Sequence, residues 1–213
     1  MPALHTEALP IDGSSKLTFD DLRGIILRGA KLSRVNLSGA NLRNADLRDA
    51  DLSGAQLRKA NQQDSERIPG EFHNEVDKAK DIGGRSASGL WKTDLSGANL
   101  SGAKLSRANL GEADLIGANL FNTNLIGADL NSATLIAADL REATLLRANL
   151  RKANVRGANL RGADLSGAKG RSNEELEQQA YSLEGATMPD GQKYEEWLKS
   201  EGRGEGGQNS GPS

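Results

Sequence analysis

The sequence predicts a solenoid, a chain wound into short stacked coils. Three observations point there. A leucine recurs every fifth residue through most of the chain, as in "TDLSGANLSGAKLSRANLGEADLIGANL" from Thr93 to Leu120. A small residue, usually alanine, stands two places before each leucine. Aromatic residues are only 3% of the chain, too few for an ordinary globular core, while Leu and Ala supply nearly all the periodic apolar content. A period of five is neither the 3.6 of a helix nor the 2 of a flat strand. Self-similarity at a fixed short period is the signature of a repeat architecture.

The elements follow in order. Residues 1–19 form an N-terminal extension. It has no basic start followed by an apolar run, and no segment of the chain approaches 18 consecutive apolar residues, so a soluble, cytoplasmic protein is expected. Residues 20–60 carry the first block of repeats, with leucines at every fifth place from Leu22 to Leu57. Residues 61–89 interrupt it. Gln62 stands where a leucine is due, Pro69-Gly70 breaks the chain, and Phe72, Val76 and Ala79 fall at helical spacing. A short helix is expected over about 71–81, ended by Gly83-Gly84. Residues 90–168 carry the second block, from Leu90 to Leu165 with Val155 as the one substitute. Ala98 through Ala168 hold the small place, with Thr123 the exception. Residues 169–200 are expected to form a helical cap. Ser172 and Glu175 spell a capping box, Leu183 and Met188 read as worn central places, and "QKYEEWLK" puts Tyr194, Trp197 and Leu198 on one helical face. That face reads either as a cover for the open end of the coils or as a homodimer contact. Residues 201–213 are Gly/Ser-rich and read as a disordered tail.

The recurring unit A-(D/N)-L-x-x resembles the pentapeptide-repeat family, over about 120 of the 213 residues. The resemblance implies an all-β solenoid, a right-handed quadrilateral β-helix with four repeats per coil. It implies about six coils, two in the first block and four in the second. Leu95, Leu100, Leu105, Leu110, Leu115, Leu120, Leu125 and Leu130 are then stacked core. Residues twenty apart should share a face. On that count Asp94 and Asp114 are grouped with Asp164, Thr134 and Asn154; Asp129 with Asn109, Asn149 and Gly89; and Asp139 with Asn99, Asn119 and Asn159. These Asp/Asn places are read as hydrogen-bond ladders from coil to coil.

Chemistry is scarce. There is no cysteine, which excludes a disulfide framework, a zinc–thiolate site and a cysteine nucleophile. Of the two histidines, His5 lies in the extension, and His73 with Asp77 makes only a pair, too few ligands for a metal site. No Gly-rich loop opens a helix after a strand. No enzyme activity, cofactor or metal is expected.

Surface charge separates the remaining readings. Some members of the family mimic DNA and bind type II topoisomerases such as gyrase, which needs a negative surface. Here residues 20–60 hold 8 Lys/Arg against 5 Asp/Glu, and residues 90–168 hold 9 against 7, so the repeats are mildly basic. That disfavours mimicry. Nucleic-acid binding rests on Phe121 beside Arg141 and Arg161, a single aromatic. The outward place after the leucine becomes apolar in mid-block, at Ile116, Phe121, Ile126, Ile136 and Leu146. Exposed apolar clusters mark contacts. A non-catalytic scaffold or protein-interaction module is therefore expected, with an unidentified protein partner and no membrane.

Overall fold

The computed structural model describes residues 22–58 and 92–203. The extension with His5, the expected helix over 71–81 with His73, Leu90, and the tail beyond 203 lie outside them. The described chain is a four-sided coil. Parallel bridges join residues twenty apart, such as Asp94 to Asp114, Asn99 to Asn119, Lys104 to Asn124 and Asn109 to Asp129. These four ladders are the four sides, one five-residue unit per side.

The unit is legible as an account of its own N–H groups. In Ala113–Gly117, the Ala113 N–H closes a turn onto the Leu110 carbonyl at 3.1 Å. The Asp114 N–H donates down one coil to Thr93 at 2.9 Å, and the Leu115 N–H donates up to Thr134 at 2.8 Å. The Gly117 N–H donates up to Ile136 at 2.9 Å. The Ile116 N–H has no carbonyl in reach, and the Asp114 side chain accepts it at 3.1 Å. All five donors are satisfied, as buried backbone requires. The same local bond recurs at Ser96, Phe121, Ile126 and Asn131. The Asp/Asn places therefore serve mainly their own turn. Bonds between Asp/Asn/Gln side chains of successive coils occur at Asn109 to Gln56, 3.2 Å, and Asn149 to Asp129, 2.8 Å.

The second residue after each leucine is left-handed. Gly117 has φ +62°, and non-glycines adopt the same conformation, including Arg107 at +58° and Ala137 at +54°. A left-handed third residue is what reverses the chain sharply enough to turn a corner. Inside, Leu95 through Leu130 in the central place are 0% exposed, and the alanines beside them are equally buried.

Register across the break is set by pairing. Asn41 bridges Asp94, and Gln56 bridges Asn109. The offset there is 53 residues, 33 more than in an unbroken coil. Leu57 is thus followed on the next side by Leu95, and the place beneath Asn109 is held by Gln56 where sequence counting expects Gly89. Thr93, fully buried in an alanine place, closes the seam: its hydroxyl accepts from the Gly39 N–H at 2.9 Å and donates to the Arg58 carbonyl at 2.9 Å. Asp164 also moves. It stacks on Thr144, Asn124 and Lys104, on the opposite side from Asp94, because seventy residues is three and a half coils.

At the far end two helices follow, α1 at Asn173–Gln179 and α2 at Tyr194–Ser200. The capping box of α1 is formed, with Ser172 and Glu175 each accepting the other's backbone N–H. Where α1 interrupts the ladder, the Arg171 guanidinium donates to the Ala153 carbonyl in place of a backbone N–H. Gly170 permits this approach: a Cβ there would lie 2.5 Å from the Arg151 Cα. The chain then resumes with Ser182 on Asn159 and Thr187 on Asp164, and Leu183 and Met188 are buried. An antiparallel bridge from Thr187 to Lys193 occupies the last edge.

Candidate interaction surface

Because four units make one coil, units ten residues apart lie on opposite sides. This decides the geometry of the outward apolar residues. On the first side the place after leucine reads Arg43, Ser96, Ile116, Ile136, Arg156, with Ile116 41% exposed and Ile136 half-buried. On the second it reads Arg28, Arg48, Ser101, Phe121, Arg141, Arg161, with Phe121 also 41% exposed. On the third it reads Ser33, Ser53, Ser106, Ile126, Leu146, Ser166, with Ile126 37% exposed and Leu146 half-buried. The fourth reads Ser38, Arg58, Gly111, Asn131, Arg151. The five apolar residues therefore form a belt around three sides. Ile116 with Ile136 and Ile126 with Leu146 are neighbours in pairs, but the two pairs face away from each other.

Charge is organised by side. On the second side the Arg141 guanidinium sits 5.6 Å from the centre of the Phe121 ring and pairs with Asp139 at 2.7 Å. The hydrogen bonds from Arg141 hold the Asp139 carboxyl below the usual range, against a smaller opposing effect of burial. Asp46 is likewise clasped by Arg28 at 2.5 Å and Arg48 at 2.7 Å. On the third side the Ser53 hydroxyl, its N–H and the Ser33 hydroxyl hold Asp51 below its ordinary value. No described side bears an unbroken acidic row. The ladder residues read Asn41, Asp94, Asp114, Thr134, Asn154 on the first side and Lys31, Asp51, Lys104, Asn124, Thr144, Asp164 on the third.

The third side also carries a feature that sequence reasoning missed. Its left-handed places alternate Arg34, Gly54, Arg107, Gly127, Arg147, Gly167. Each arginine stem lies over the glycine one coil on, with Cγ 3.6, 3.8 and 3.4 Å from where a Cβ on Gly54, Gly127 and Gly167 would stand. The signal was in the sequence as an Arg/Gly alternation every twenty residues from Arg107 to Gly167, and the 33-residue break hides only its continuation to Arg34 and Gly54.

At the far end, Trp197 is 4% exposed and Tyr194 and Leu198 are half-buried. The Tyr194 and Trp197 rings are 6.1 Å apart, and Arg203, assigned by composition to the tail, lies 6.0 Å from the Trp197 ring centre and 2.6 Å from Glu177. Among the described residues no group of three or more His, Cys, Asp or Glu could hold a metal, and no helix is long and apolar enough to cross a membrane.

The sequence finds no match among curated proteins. The solved structure of a pentapeptide repeat protein, Rfr23 from the cyanobacterium Cyanothece 51142, is 31% identical over 71% of this chain and 85% of that one, with a TM-score of 0.38. HetL, a pentapeptide repeat protein involved in heterocyst differentiation regulation from Nostoc sp. strain PCC 7120, is 27% identical over 80% and 73%, with a TM-score of 0.32. QnrB1, a plasmid-mediated fluoroquinolone resistance protein, is 17% identical over 85% and 68%, with a TM-score of 0.31. A family model described as pentapeptide repeats matches residues 25–61, 93–131 and 128–167 in 8 copies, more than half of the chain. The chain belongs to the pentapeptide-repeat family, whose members fold as right-handed quadrilateral β-helices.

Proposed function

We propose that this chain is a non-catalytic, cytoplasmic protein-interaction module, a rod of about six coils closed at its far end by α1 and α2. The observation that carries this reading is the division of labour within the repeat. The interior from Leu95 to Leu165 is Leu and Ala at 0–1% exposure, Thr123 and Val155 aside, with nothing reactive to offer, while Ile116, Phe121 and Ile126 stand exposed in mid-rod. Exposed apolar side chains on an otherwise polar surface mark contacts. The burial of Trp197 and the Thr187–Lys193 bridge favour a covering role for the terminal helices over a homodimer contact through Tyr194, Trp197 and Leu198.

The second reading is a DNA mimic directed at a type II topoisomerase, which the resistance protein QnrB1 brings to mind. Mimicry needs continuous negative charge. The interrupted acidic ladders and the arginines clasping Asp46 and Asp139 argue against it. A gyrase supercoiling assay with and without quinolone tests the choice. No effect at micromolar protein is expected; inhibition or protection would overturn the proposal.

A further inference from the structure

We infer that the third side of the rod is a docking surface for an acidic amphipathic helix. This deepens the reading of the rod as a protein-binding module and rests on it. Arg107 and Arg147 stand two coils apart in one column, a separation of about 9.5 Å at ordinary strand spacing. Their stems are laid over Gly127 and Gly167, which carry no side chain to lift them away. Both are exposed, and neither makes an ion pair among the described residues. Lys104 is exposed in the adjoining ladder. In the next column Ile126 lies one coil on from Arg107, level with Gly127, and Leu146 lies one coil further, beside Arg147.

The order along the rod is thus cation, apolar residue, then apolar residue and cation side by side, and the two cations are spaced close to the heptad of an α-helix, about 10.5 Å. A helix laid along the rod with acidic residues seven apart would meet Arg107 and Arg147 in turn. Apolar residues three and four places after the first acid would lie over Ile126 and reach toward Leu146 beside the second, on the same i, i+3, i+4, i+7 stripe of an amphipathic face. A nucleic acid fits less well. It would answer the cations but leave the Ile126–Leu146 strip bare, and this side has no aromatic on which a base could stack.

The test uses the full chain and a fluorescent peptide of about 21 residues, with Glu at every seventh place and Leu three and four places after each Glu. Saturable anisotropy is expected, weakened by salt. Arg107→Glu with Arg147→Glu should reduce affinity about tenfold or more. The fold tolerates glutamate at this turn place, since Glu112 and Glu142 hold it with φ +58° and +57°. Ile126→Ser with Leu146→Ser should also weaken binding about tenfold, whereas Ile116→Ser with Ile136→Ser, on the opposite side, should not. Each variant is compared with the parent by melting. Absence of saturable binding would overturn the inference. So would indifference to the arginine pair, equal binding of a peptide with Ser for Leu, loss on the Ile116/Ile136 side, or displacement of the peptide by a single-stranded oligonucleotide. A gyrase effect would remove the parent reading, while a silent peptide with no gyrase effect would remove this surface alone.

Discussion

In most five-residue units one N–H finds no backbone carbonyl, and where an Asp or Asn stands before the leucine its side chain supplies the acceptor, as Asp114 does for Ile116. That is the physical content of the D/N place, and it explains why those side chains rarely bridge coils. The left-handed glycines are equally demanding, and they yield two graded predictions. At Gly170, φ +88°, a Cβ would meet the Arg151 backbone, its Cα at 2.5 Å and its N at 2.6 Å; at Gly117, φ +62°, nothing lies within 4 Å. Gly117→Ala should therefore cost only the conformational term, roughly 1–2 kcal/mol, in a conformation Ala137 already adopts. Gly170→Ala should cost about 1–3 kcal/mol more, because the Arg151 backbone must shift. Urea melts of the two variants check the order, and equal losses would contradict it. In the core, Leu115 is 0% exposed, so Leu115→Ala should cost about 2–5 kcal/mol. A melting curve overlaying the parent's would contradict the stacked-leucine core.

The terminal helices are too short to be stable alone, and packing holds them. Leu176 and Trp197 are the buried anchors, and Glu177 ties α1 to α2 by accepting from the Tyr194 hydroxyl and to the chain after α2 by pairing with Arg203. Trp197→Ala should free α2 while leaving the coils folded. Amide exchange is the measurement, and the Tyr194 N–H, which donates to the Ala186 carbonyl at 2.9 Å, should lose protection while the Leu115 N–H keeps it. Burial, followed by the nearby Glu177 charge, pushes the Tyr194 phenol above its ordinary value. A raised folded value means that Tyr194's contribution is complete below the ordinary phenol range of about 10 and is lost as pH rises through the higher folded value. The parent should accordingly lose more stability than Tyr194→Phe on going from neutral pH into that alkaline range. Matching alkaline melts of the two would contradict this. Both helices were legible in the sequence, α1 from its capping box and α2 from its apolar spacing. The bond from Arg171 to Ala153 was not, because it replaces a rung whose absence shows only once the ladder is built.

At the scale of the whole rod, the interior was legible and the exterior only partly so. The leucines repeat without regard to side, so counting them finds the core whichever side each occupies. Outward residues acquire neighbours only through the register, and the break withholds it: Leu90 and Leu95 look alike in sequence, but pairing puts Leu95 directly after Leu57. The outward apolar residues lie within the unbroken second block and were legible as pairs twenty apart, Ile116 with Ile136 and Ile126 with Leu146; the ten-residue offset sets the two pairs on opposite sides. The register across the break is the claim on which every surface assignment that joins the two blocks rests, the continuation of the docking side to Arg34 and Gly54 included. It is tested by deleting residues 60–92, which joins Lys59 to Thr93 and leaves Leu57-Arg58-Lys59-Thr93-Asp94-Leu95, an unbroken unit of the repeat. The account predicts a folded rod with a melting temperature at or above the parent's, and an unchanged loss on adding Leu115→Ala. A deletion variant that is unfolded, or that melts well below the parent, would contradict it.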